Sequence, residues 1–339
     1  MTESVGSEAD TRPGHGSGSA RQSVALFVVA SLTFGTAFVG IKAGLADVPP
    51  LLFAGFRYDI GAAVLLAYVA RRRDYWLPRT RGDLTAVVVA GVFLSGLNAA
   101  LLFVGQQYVT SGTAAVVFSL VPVLAPLFAL ALLPGTRFDP VGMVGIVLGL
   151  FGVAIIVGLS SLSAGDERTV VGITLIGGAA TAAALGSVLL RRVDRAIPGL
   201  SMTAWALVVA AGLVHTLSLL AGDSPTDVTP TLQAVAAILW VGLPATALAF
   251  PAYYGLIDRA GPVRANLISY TVPLVATLAG GAILGETVPP RTALGFAVIV
   301  AGFALIERDT IRDELRQLRN RSRASQRDED HLCEHAPRG

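Results

Sequence analysis

The stretch TSGTAAVVFSLVPVLAPLFALALL, residues 110–133, returns as AGPVRANLISYTVPLVATLAGGAILGE, residues 260–286. In both copies a small-residue turn enters a long apolar run with a proline near its middle, Pro122 in one and Pro273 in the other. The flanks agree too: Gly105 with Gly255 before the run, then Gly145 with Gly295 and Gly152 with Gly302 after it. A fainter echo links Gly35 with Gly186 and Gly61 with Gly212. One half of the chain is therefore a diverged copy of the other. Weak internal symmetry between apolar halves marks many transporter folds.

The composition says which solvent the copies face. The chain is 53% hydrophobic and 14% charged, where ordinary soluble domains carry roughly a quarter charged residues. A water-soluble protein of 339 residues has too little interior to hide that much apolar surface. Ten runs suffice to cross a bilayer, which takes about 20 apolar residues each: 24–45, 51–70, 84–106, 112–133, 141–160, 171–190, 200–221, 232–256, 263–284 and a short 292–307. They are helical because a lone strand leaves backbone groups unpaired in lipid. The first reads as a retained span, not as a cleaved signal.

Loops after the even-numbered runs hold 11 arginines, and the alternate loops hold two, Arg168 and Arg291. By the positive-inside rule both termini are cytoplasmic. Five runs per half is odd, so the second half is inserted upside down relative to the first. The expected fold is an all-α integral membrane protein of ten transmembrane helices, two inverted-topology five-helix repeats. Residues 1–22 form a disordered cytoplasmic tail, 23–160 and 171–307 the repeats, and 308–339 a charged cytoplasmic tail.

The residues that open the first repeat, TFGTAFVGIKAGLADVPPLLFAGFRYDIGAAVLL, resemble the tandem EamA-type domains of the drug/metabolite transporter superfamily. Gly35, Phe38, Lys42, Pro49 and Arg57 occupy that family's opening pattern, with Phe34 where a tryptophan is usual. Ser111, Gly112 and Pro122, and Gly261 and Pro273, match its small-residue turn and mid-helix proline. Its closing Gly-Glu pair is kept as Gly285-Glu286, while the first half has Pro134-Gly135. The resemblance covers about residues 24–307. It implies a ten-helix carrier with a central cavity lined by spans 1, 3, 4, 6, 8 and 9. Spans 5 and 10 would be peripheral. Members carry amino acids, other metabolites, nucleotide sugars, triose phosphates or drugs.

Polar residues inside the runs are the candidate site. Lys42 is the only lysine, and helical steps place it on one face with Phe38. It is either a contact for an anionic substrate group or a side chain snorkelling to the headgroups. Arg57 pairs with Glu286 as a structural ion pair. Asp59 is a proton site or a partner of Lys42 or Arg57. A polar sector on span 3 holds Asn98 and Gln106, and one on span 9 holds Asn266, Ser269 and Tyr270. Such sectors serve as cavity wall or as helix-helix glue. Pro122 and Pro273 read as gating kinks. His215 reads as a satisfied polar residue. Trp205 reads as interfacial or as a stacking platform.

One cysteine, Cys333, and four histidines without ligand spacing provide no metal set, and no cofactor is expected. An integral-membrane enzyme would need clustered acids or histidines inside the spans, and a non-transporting scaffold leaves the polar stripes unexplained. The expected function is a secondary transporter in the plasma membrane that moves a small amino-acid-like or drug-like metabolite by alternating access, as an exporter. Its partners are that substrate and the bilayer, with no nucleic acid. The peripheral helices offer a face for a homodimer.

Overall fold

The structure is a computed structural model that describes residues 16–72, 74–133, 140–157, 167–260, 265, 267–306, 308 and 312. Among the described residues there is helix and turn but no strand. Seven helices are long and apolar enough to cross a membrane: α1 (Arg21–Gly44 of a helix starting at Gly16), α2 (Pro50–Arg72), α3 (Arg81–Gln106), α4 (Ser111–Leu132), α6 (Glu167–Leu190), α7 (Gly199–Ala221) and α8 (Leu232–Arg259). Three shorter apolar helices complete the order: α5 (Pro140–Ile156), α9 (Ile268–Leu284) and α10 (Pro290–Ile306). The helix begun at Gly16 lies partly inside the stretch expected to be a tail. Of the expected charged tail, only Arg308 and Arg312 are among the described residues.

Helix ends are set by local chemistry. Thr80 caps α3 in a reciprocal box with Asp83, Thr110 caps α4, and Thr231 caps α8. Gly285 closes α9 with φ of 65°, a left-handed turn open to glycine at no steric cost. Pro122 starts the second piece of α4, after a break at Ser119 and Leu120. A proline there forfeits no hydrogen bond. Pro273 instead lies inside an unbroken helix. The two matched prolines therefore do different local work.

Packing follows a crossed pattern. α1 lies against α8 and α9, whereas α6 lies against α3 and α4. α2 packs on α7, and α5 on α10. The last pair meets through glycines. A Cβ on Gly145 would lie 2.5 Å from Gly302 O, and one on Gly152 would lie 2.7 Å from Gly295 O. One helix advances as the other retreats, so the pair is antiparallel. Bare backbone lets the two helices touch, the usual device of close contact in lipid.

The two ends of the bundle are stapled separately. At the arginine-rich end the buried Asp83 carboxylate accepts from Tyr75 Oη at 2.6 Å, from the amides of Arg79 and Thr80, and from the amides of Ala196 and Ile197 at 2.9 Å. The bond to Asp83 pushes the Tyr75 hydroxyl above its ordinary range. Beside it Trp205 stacks on Trp76 at 6.1 Å and donates Nε1 to Trp76 O. Trp205 is thus a structural clasp. At the other end the Thr231 hydroxyl donates to Asp47, and Gln233 donates to Ala43 O at 2.8 Å.

Candidate polar sites in the helix bundle

Sequence reading missed two segments of π-helix, Ala90–Leu97 in α3 and Leu243–Leu248 in α8. They occupy corresponding places in the two copies. A π-bulge is often a functional feature, because it rotates the helix that follows and frees backbone groups. Both segments meet α2. Tyr58 Oη donates to Ser95 O at 3.0 Å, and Arg57 Nε donates to Thr246 Oγ1 at 3.0 Å. Thr246 in turn donates to Val241 O at 2.7 Å.

Arg57 therefore does not form the ion pair expected with Glu286. Its guanidinium lies between α2, α3 and α8, 5.8 Å from the Phe103 ring. Among the described residues, Thr246 is the hydrogen-bond acceptor that it meets. Glu286 is occupied elsewhere. Its carboxylate accepts from the Ser111 amide at 2.9 and 3.1 Å and from the Ser111 hydroxyl at 3.3 Å. It caps the N-terminus of α4, where a helix favours negative charge. Gly280 leaves space for this carboxylate, since a Cβ there would be 2.5 Å from Oε2.

Asp59 partners neither Lys42 nor Arg57. It lies 2.9 Å from His215 Nε2 on α7, and Gly55 makes room for the imidazole. His215 is satisfied, as expected, but by an acid that had been assigned other partners.

At the arginine-poor end a cavity of about 350 Å³ opens among α1, the α3–α4 turn, α5, α6 and the α9–α10 turn. Lys42 lines it. Its ammonium donates to Gln106 O and Gln107 O, each at 3.0 Å. That tether holds the side chain on the α3–α4 turn, where a snorkelling lysine would reach outward. The other expected cavity residues go elsewhere. Phe38 is buried against Phe118. Gln106 is fully buried and donates its amide to Phe38 O. Asn98 turns back on its own helix, donating to Leu94 O at 2.9 Å. Tyr270 packs on Phe303 of α10, with ring centres 4.7 Å apart. Ser269 is half-buried on α9, and Asn266 lies outside the described residues.

Comparison with known proteins agrees with this architecture. The pattern of the EamA-like transporter family matches residues 21–158 and again 170–308. The chain is 31% identical over 284 residues to the uncharacterized inner membrane transporter YedA of Escherichia coli K12, covering 83% of this chain and 88% of that protein. It is 27% identical to the probable terminal-alkyne amino-acid exporter of Streptantibioticus cattleyicolor, with 84% and 93% covered. A solved crystal structure, 24% identical, superimposes with a TM-score of 0.57 over 84% of this chain and 96% of the other, a likeness of fold.

Proposed function

This chain belongs to the EamA-like transporter family, and on that premise we propose that it is a secondary carrier of a small amino-acid-like metabolite, working by alternating access as an exporter. Ten helices cross the plasma membrane as two inverted five-helix repeats, with both termini in the cytoplasm. The crossed packing supports this reading. Each contact of α1 with α8 and α9 has its image in the contact of α6 with α3 and α4. The antiparallel glycine contacts of α5 and α10 are images of one another as well.

One observation carries the transport site. Arg57 binds Thr246 in the π-helical segment of α8, and its neighbour Tyr58 binds Ser95 O in the matching segment of α3, so α2 bridges the two halves here. A cation deep in a span is costly unless it faces a partner or a watered path. Arg57 then meets an anionic group of the substrate where the halves join. Asp59 with His215 is the proton site of the same pathway, and Asn98, Ser269 and Tyr270 stand on the helices that shape it. Export of an amino-acid-like compound is favoured by the name of the Streptantibioticus relative. The outward apolar side chains of α5 and α10, such as Val147, Phe151 and Leu294, meet lipid or a second copy.

The test is counterflow in proteoliposomes. Vesicles loaded with a mixture of unlabelled amino acids should accumulate labelled ones only when the protein is present. Failure across amino acids, nucleosides and cationic drugs alike would remove the carrier reading and favour a membrane scaffold.

A further inference from the structure

Four helix ends meet at the arginine-rich end. α2 ends at Arg72, α3 begins at Arg81, α6 ends at Leu190 and α7 begins at Gly199. The two loops between them are locked together. Asp83 takes the amides of Ala196 and Ile197, each at 2.9 Å, and Gly82 presents bare backbone to Asp194 O. This contact joins two groups of exposed arginines: Arg71, Arg72 and Arg81 beside the first loop, Arg191 and Arg192 on the second. The buried carboxylate between the loops, Asp83, is spent on Tyr75 and four amides. Asp74 and Asp194 are exposed on the same loops. Among the described residues, no carboxylate lies within ion-pair distance of any of the five arginines.

Helix electrostatics accounts for four of them. Arg71 and Arg72 occupy the last turn of α2, and Arg191 and Arg192 follow the end of α6, where cations are favoured. Arg81 is the first residue of α3, the end that disfavours a cation. The stripe it heads explains its place. Leu84 and Val88 continue the same face of α3 and are 52% and 50% exposed. A charge at headgroup depth, followed by exposed apolar side chains, is the outline of an amphiphile with an anionic head and an acyl tail.

We propose that the two locked loops form one site for an anionic phospholipid. Its phosphodiester meets Arg81 and the Arg191–Arg192 pair, and an acyl chain lies along Leu84 and Val88. A phosphodiester carries one negative charge and accepts the paired N–H donors of a guanidinium. Inorganic phosphate offers similar oxygens but nothing to cover Leu84 and Val88.

The test is protection of arginine side chains. The purified full chain, in neutral detergent, would be treated with an arginine-selective dicarbonyl in the presence of phosphatidylglycerol, phosphatidylcholine or inorganic phosphate. Peptide mass spectrometry reads each site. Phosphatidylglycerol should slow modification of Arg81, Arg191 and Arg192 about fivefold or more at saturation. Arg168, at the opposite end of α6, should react at an unchanged rate. Phosphatidylcholine and inorganic phosphate should protect none of the four. With Arg191→Gln and Arg192→Gln combined, the phosphatidylglycerol concentration that half-protects Arg81 should rise about tenfold. If that variant does not remain monodisperse, the parent protein decides. One site requires Arg81, Arg191 and Arg192 to be protected with a common half-concentration.

Protection confined to one loop, or with separate half-concentrations, would overturn the shared site. Equal protection of Arg168 would reduce the effect to general attraction between charges. Equal protection by inorganic phosphate would exclude a lipid site. Resistance of Arg81 without any lipid would show that another part of the chain covers it, and that too would overturn the proposal. The site stands or falls independently of counterflow.

Discussion

Arg57 illustrates how little a residue's neighbours in sequence say about its partners. It stands two positions from Asp59, yet one binds Thr246 of α8 and the other faces His215 of α7. Two residues on one helix turn about 200° apart, so their environments are unrelated. If Arg57 meets substrate, Arg57→Gln should cut counterflow at least about tenfold while the protein stays monodisperse. Arg57→Lys should restore part of it, because the charge is kept and the fork is lost. Equal transport by all three proteins would reduce Arg57 to a packing residue. Asp83 makes the opposite kind of case, a carboxylate with five donors and no exposure. Asp83→Ala leaves several of those donors without an acceptor and removes the cap of α3. It should cost about 3 kcal/mol, read as a lower unfolding temperature in detergent. Transport per folded molecule should change little.

Among the elements, α5 and α10 hold each other by backbone contact, and their glycines leave nothing to give way. In Gly152→Val the new side chain would enter Gly295 O and Ile299. Overpacking of that kind costs about 1–3 kcal/mol. A thermal melt in detergent should show Gly152→Val and Gly295→Val destabilised alike, since each meets the image of the other's contact. Gly212→Ala should be neutral by the same measurement, because a Cβ placed there meets no packing neighbour within 4 Å. The π segments belong to this scale too. No apolar period announces them, since one extra residue per turn changes which side chains share a face without changing how apolar the run is. On span 3, Asn98 donates to Leu94 O of its own helix. Ser95 turns its carbonyl to Tyr58, and Gln106 is buried against α1.

For the molecule as a whole, the placement of loops at the two ends carries the topology. Asp83 ties the α2–α3 loop to the α6–α7 loop, while Asp47 and Thr231 tie the α1–α2 loop to the α7–α8 loop. These two ends coincide with the arginine-rich and arginine-poor loops. In a Cys333→Ser background, an impermeant thiol reagent added to intact cells should therefore modify Asp223→Cys and spare Arg72→Cys. The reverse labelling would sink the inverted-repeat arrangement.

Composition, the lengths of the apolar runs and the repeated stretch were enough to read a helical membrane protein built of two copies, with most helix boundaries within a few residues. Those features depend on the solvent each residue must face, and the solvent leaves its mark locally along the chain. The break in α4 escaped because local backbone turns do not alter hydropathy. Lys42 stood out from sequence as a lone cation, but its tether to Gln106 and Gln107, and the company of Arg291, exist only after α1, α3 and α10 converge. The same holds for Glu286 on Ser111 and for His215 on Asp59. A polar residue in a span must find a partner, and the sequence states that need. Which partner answers it is decided by helix rotation and crossing, set by packing between residues far apart in the chain.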